Sequence, residues 1–161
     1  MEIIMNAELK RIVSTAVESF NSCEKYLLEN DLSERCVCAR FAMHLSKALI
    51  GTDYHDYVVD VEYNRGYDGK DRAEKRMYDA PITVDLIVHK RGQSYEYGFT
   101  NLICVEMKKS TNRKGCTSDE RRLSNMVSYD YGFGYKAGFM IVANMKSRML
   151  EIKREFYLNG D

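Results

Sequence analysis

Apolar positions in the first third of the chain recur with helical spacing. From Leu9 onward, Ile12, Val13, Ala16, Val17, Phe20, Cys23 and Leu27 cluster at intervals of three and four, while Lys10, Glu18 and Lys25 fall off that stripe. The pattern predicts one long amphipathic helix. A second helix is expected after Asp31, where Asp31 and Glu34 stand at the spacing of a capping box. Val37, Cys38, Phe41, Leu45, Ala48 and Leu49 share its apolar face, and Gly51 ends it.

The period then changes to two. In 57–64, Val59, Val61 and Tyr63 alternate with Asp60, Glu62 and Asn64, the pattern of a half-buried strand with a solvated side. After a polar, glycine-bearing loop at 65–78, Ile82, Val84, Leu86 and Val88 alternate with Thr83, Asp85, Ile87 and His89. That strand ends at the Lys90-Arg91-Gly92 turn signal, with 94–100 as the loop or return of a hairpin. In 102–109, Ile103, Val105 and Met107 form one apolar face, and Leu102, Cys104, Glu106 and Lys108 form the other. This strand starts buried on both sides and ends in charge. A glycine- and lysine-rich loop at 110–116 leads to a helix opened by Thr117, with Glu120 at capping-box spacing and Leu123, Met126 and Val127 further on. The continuously apolar run 137–143 suits a central strand covered on both faces. A last strand is expected at 149–158, although 151–156 would also tolerate helix.

The element order is therefore α, α, β, β, β, α, β and one final element. This predicts an α/β sandwich with a mixed central β-sheet flanked by helices and an N-terminal helical pair. The 161 residues, 45% of them apolar or aromatic, suffice for one substantial core, so 1–161 is read as a single domain. Lysine plus arginine equals aspartate plus glutamate at 24 each, so no global positive field steers the protein onto nucleic acid, and such binding requires a local basic surface. The five cysteines are odd in number and lack C-x2-C pairs, which argues for reduced, mostly buried thiols. No stretch approaches the ~20 apolar residues that span a bilayer, and the N-terminus lacks the basic and apolar regions of a secretory signal. The expectation is a cytoplasmic protein with no membrane partner.

The chemistry concentrates at the end of the 102–109 strand. Residues two apart on a strand point to the same side, roughly 6–7 Å apart, so Glu106 and Lys108 project together. If the preceding strand pairs with it as a hairpin, the Asp85 carboxylate approaches Glu106, and Glu62 could approach the same place if its strand neighbours Asp85. Two carboxylates brought together repel and favour a cation between them. Magnesium is a hard ion typically held by one or two carboxylates with waters and substrate phosphate. Asp85, Glu106 and the backbone carbonyl of Met107 could supply such ligands, with Lys108 orienting an attacking water or stabilising the oxyanions that form.

The segments ITVDLIVHKRG, from Ile82 to Gly92, and NLICVEMKKS, from Asn101 to Ser110, resemble the PD-(D/E)xK nuclease superfamily, the fold of restriction endonucleases. The likeness covers roughly 34–143. It implies a Mg²⁺- or Mn²⁺-dependent endo- or exonuclease with Asp85 and Glu106 as metal-binding acids and Lys108 as the motif lysine. It also implies a nucleic-acid substrate, DNA in preference to RNA, and a homodimer or protein partner for targeting. Glu34 matches the position where many members place a further acid; it is equally well explained as the N3 residue of the Asp31 capping box. The sequence departs from the family pattern in that Val84, not proline, precedes Asp85, while Pro81 lies four residues back.

Lys109, Arg113, Lys114, Arg122 and Lys136 form a candidate phosphate-binding surface beside the site, interrupted by Asp119 and Glu120. Tyr129, Tyr131 and Tyr135 could stack on bases or simply pack. Of the histidines, only His89 shares the Asp85 strand face, where a surface hydrogen bond accounts for it. Two further functions fit the same pattern: a catalytically silent nuclease-fold module that binds nucleic acid or protein, and a hydrolase of another phosphoester such as a nucleotide.

Overall fold

The computed structural model describes residues 2–63, 66–67, 72–73, 76–77, 80–81, 83–91, 100–112, 116–130 and 133–158. The chain opens with α1 (Glu2–Cys23), a short α2 (Lys25–Glu29) and α3 (Glu34–Leu49). Strand β1 (Val58–Val61) follows. Two-residue segments β2 (Gly66–Tyr67) and β3 (Arg72–Ala73) pair with each other, as do β4 (Arg76–Met77) and β5 (Ala80–Pro81). The rest is β6 (Leu86–His89), β7 (Asn101–Lys109), α4 (Cys116–Met126), β8 (Ala137–Asn144) and β9 (Met149–Tyr157).

One five-stranded sheet organises these elements in the order β1-β6-β7-β8-β9. Neighbours are antiparallel except β7 and β8, which run parallel. A parallel pair needs a crossover, and α4 supplies it. Both faces of the sheet are covered. Ile103, Val105, Met107, Leu86 and Ile141 face α1 and α3, meeting Leu9, Val13, Phe20, Phe41 and Leu45. Ile87, Cys104 and Met140 face the other way, onto Leu123, Met126 and Val127 of the α4 side and onto Tyr135. This α/β layering with a mixed sheet agrees with the periodicity, and the segment 149–158 resolves as strand β9 beside β8.

Several local expectations change. The first helical stripe is two helices, because the chain leaves helical geometry at Glu24 (φ −115°, ψ 22°). The Glu24 carboxylate accepts hydrogen bonds from Arg40 Nε at 2.9 Å and contacts His44 Nε2 at 3.1 Å, both on α3. Asp31 is not the cap of α3. Ser33 takes that place, its Oγ accepting from the Cys36 N–H at 3.2 Å. Glu34 is thus the first helical residue and not the reciprocal member of a capping box. Thr117 lies inside α4, one residue past its start. The second strand begins at Leu86, leaving Asp85 in a bend just before it, and all four of its residues are buried. Asp60 and His89 are likewise not solvated: His89 is buried, its Nε2 lies 2.8 Å from Asp60 Oδ2, and Arg91 pairs with the same carboxylate.

Gly138 is required where β8 passes under α4. A Cβ there would sit 3.0 Å from Val127 Cγ2 and 3.3 Å from Cys104 Sγ. Gly138→Ala is therefore expected to destabilise the fold by about 1–3 kcal/mol, the usual cost of overpacking, read as a lower urea midpoint with an unchanged slope. An unaltered midpoint would show that α4 yields freely.

Candidate functional site

The site is built where β6 and β7 leave the core. The first seven residues of β7 are buried and the last two only partly so, so its charged residues occupy the one end of the strand where water is reachable. Glu106 and Lys108 project to the α4 side of the sheet. The hairpin register pairs Leu86 with Val105, which brings Asp85 alongside Glu106. Asp85 is held from three directions: its Oδ2 accepts the Met107 N–H at 2.7 Å, and its carbonyl accepts the Glu62 N–H at 3.0 Å and the Cys38 thiol at 3.6 Å. A strand residue turns its N–H and C=O to the same edge, so the Met107 carbonyl faces the Asp85 edge as well.

Glu106 keeps its proton well beyond the ordinary glutamate range, up to about 9. Burial is the main cause, the charge of Asp85 adds to it, and the Arg122 guanidinium pulls the other way without prevailing. Burial also pushes the nearby Cys38 thiol up to about 12, which leaves it unreactive at neutral pH.

Helix α4 completes the arrangement. Arg122 Nη1 donates to Glu106 Oε1, and its Nη2 lies 3.3 Å from Asp119 Oδ1. The other Asp119 oxygen is 2.8 Å from Lys108 Nζ. Asp119 is only 5% exposed, so it is a buried anion stabilised by two cations. Lys108 is held protonated, first by its hydrogen bond to Asp119. It can therefore donate hydrogen bonds but cannot take a proton from water. Asp119 was the residue that sequence reasoning missed, read as an interruption of a basic surface. Its signal was present: Asp119, Arg122, Leu123 and Met126 stand at i, i+3, i+4 and i+7, one helical face.

These groups line a cleft of about 390 Å³ whose wall also carries Glu34, Arg35, Glu62 and Asn112. Glu34 accepts from Asn112 Nδ2 at 2.9 Å. Glu62, at the end of β1, adopts a left-handed backbone (φ 51°) that a non-glycine residue seldom takes, and pairs with Arg35 at 3.0 Å. Five carboxylates thus face three cations. No family model, curated protein or solved structure matches this chain. What the cleft does must be argued from its own geometry.

The expected phosphate-binding residues do not gather in one place. Arg122 lies inside the cleft. Lys109 turns to the opposite face of β7, where its Nζ is 2.8 Å from Asp31 Oδ1. Lys136 precedes β8, near Asn101 at the far end of the sheet, about 20 Å from Lys108 at ~3.3 Å per residue, and its ammonium lies 3.2 Å from the Tyr129 hydroxyl. Tyr135 is fully buried and Tyr129 exposed. Arg113, Lys114 and Tyr131 lie outside the described residues. Among the described residues no three His, Cys, Asp or Glu side chains converge on one point, and no helix is long and apolar enough to cross a membrane.

Proposed function

We propose that this chain is a Mg²⁺- or Mn²⁺-dependent phosphodiesterase of the restriction-endonuclease-like kind, hydrolysing nucleic-acid backbones at the Asp85–Glu106–Lys108 cleft. The observation that carries the reading is that the β6–β7 register sets Asp85 beside Glu106 at a buried sheet end, with Lys108 lining the same cleft. Support also comes from the chain order: helix α3, the antiparallel strands β1, β6 and β7, then α4 and the parallel strand β8. This is the order the sequence resemblance implies.

The donor set fits a hard divalent ion. Asp85 and Glu106 offer carboxylate oxygens and Met107 a carbonyl, and such ions keep several waters and share substrate phosphate. Glu34 faces the same cleft but is engaged by Asn112. When bound, the ion would supply an activated water and neutralise phosphodiester charge. The residues do the rest. Once deprotonated, Glu106 would hold the ion as its second carboxylate. The fixed Asp85 keeps its oxygens aimed through the Met107 N–H. Lys108 donates to the phosphoryl oxygen on which charge grows, and Asp119 keeps that ammonium in place. The excess of carboxylates would repel a bare polyanion, so phosphate enters favourably only with added positive charge.

One observation favours a silent, nuclease-fold binding module instead: Arg122 already occupies Glu106, and Asp119 already engages Lys108. Titration calorimetry with Mn²⁺ and Mg²⁺ on wild type and Asp85→Ala, beside cleavage assays on plasmid, single-stranded DNA and RNA, separates the two. Wild type is expected to bind Mn²⁺ and cleave. Asp85→Ala should bind at least about tenfold more weakly, as expected when one of two charged ligands is lost, and leave the substrates intact. Binding of nucleic acid with neither metal uptake nor cleavage would establish the module.

A further inference from the structure

We propose that Arg122 is an exchangeable internal cation: its guanidinium and a divalent cation compete for Glu106, so metal loading releases Arg122 from that side chain and makes it available to substrate phosphate. This rests on the metal-dependent reading above.

The two partners of this contact differ in freedom. The Glu106 side chain is 4% exposed and sits on a strand with neighbours on both sides, whereas the Arg122 side chain is 31% exposed and reaches in from α4. Arg122 can withdraw toward the cleft opening without disturbing the sheet; Glu106 cannot follow. Arg122 also has somewhere to go, because Asp119, one helical turn earlier, already holds its second nitrogen. The departing guanidinium stays paired, which avoids the large penalty of an isolated buried charge.

Two cations on one buried carboxylate repel each other strongly in a poorly solvated site. Occupancy by a divalent ion and retention of the Arg122–Glu106 pair are therefore antagonistic. A guanidinium turned into the cleft presents a planar fork that matches two phosphate oxygens, which a lysine cannot reproduce. Linkage makes the effect reciprocal: whatever draws Arg122 to phosphate also favours the metal. Metal and nucleic acid should then bind with positive coupling in a cleft whose own carboxylates outnumber its cations.

The test is Mn²⁺ titration without nucleic acid, at fixed pH, on wild type, Arg122→Gln and Arg122→Lys. Arg122→Gln removes the competing charge and should bind Mn²⁺ roughly tenfold more tightly, a typical coupling between sites. Arg122→Lys keeps the charge and should stay within about threefold of wild type by the same linkage. Equal or weaker Mn²⁺ binding by Arg122→Gln overturns the exchange while leaving the metal reading intact, provided wild type binds and Asp85→Ala does not. Tightening in both variants also overturns it, since charge would not be the cause. Absence of Mn²⁺ binding in all of the proteins removes the metal reading and the exchange together. Should Arg122→Gln fail to fold, the Arg122 Nε–H resonance of the wild type decides during Mg²⁺ titration. It should shift along the Mg²⁺ binding curve, and a resonance unmoved at saturation rules the exchange out.

Discussion

Glu106→Gln is expected to make the metal-free protein more stable than wild type at pH 8, by about 2–3 kcal/mol. In the unfolded chain Glu106 ionises near 4.5, whereas the folded protein keeps it protonated up to about 9. The folded pKa is raised, so the stabilisation is fully present below 4.5, declines as pH rises, and is lost by about 9. At ~1.4 kcal/mol per unit the limit at pH 8 is about 5 kcal/mol, and relaxation of α4 around an ionised Glu106 reduces it. Glutamine resembles the protonated acid: its amide can donate to Asp85 and accept from Arg122, and it has no proton to take up on folding. Urea unfolding at pH 5 and pH 8 should show curves that converge at the lower pH and separate at the higher. Mg²⁺ at a hundredfold excess over its dissociation constant should restore ~2.7 kcal/mol to wild type and little to the variant. Parallel pH profiles for the two proteins would refute a Glu106 that stays protonated at neutral pH.

Lys108→Met is expected to lower single-turnover cleavage by about 10²- to 10³-fold, the range for removing one preorganised donor to a developing oxyanion. Mn²⁺ affinity should change little, because Lys108 pairs with Asp119 and not with Asp85 or Glu106. The methionine fills the space of the lysine stem, and Asp119 retains Arg122 as a partner, so folding is preserved. Asp119→Asn should fall between wild type and Lys108→Met, since it loosens the ammonium without removing it. A cleavage rate unaffected by Lys108→Met would reduce Lys108 to a counter-ion for Asp119.

Much of the frame was legible because it rests on periodicity. Ile103, Val105 and Met107 against Cys104, Glu106 and Lys108 defined the two faces of β7, and both faces are filled as the alternation required. The approach of Asp85 to Glu106 followed from hairpin pairing, which places residues of neighbouring strands side by side. Caps were less legible. Asp31 and Ser33 are both good acceptors at the head of α3, and only the path of the chain, with Asp31 left-handed at φ 54° and bound to Lys109, gives the cap to Ser33. Glu24 broke a continuous helical stripe for a similar reason: its partners Arg40 and His44 are far away in sequence.

Burial pattern, strand alternation and local spacing, which act over a few residues, determined the sheet, its covering helices and the pairing of Asp85 with Glu106 and Lys108. The tertiary structure alone decided which charges meet. Arg122 and Asp119 became part of the site, and Lys109 and Lys136 were carried away from it. The physical reason is that apolar burial is cumulative and periodic, so sequence records it. The pKa of Glu106 and the partner of each charge depend on a few ångströms of separation between elements distant in the chain, and no local pattern encodes that distance.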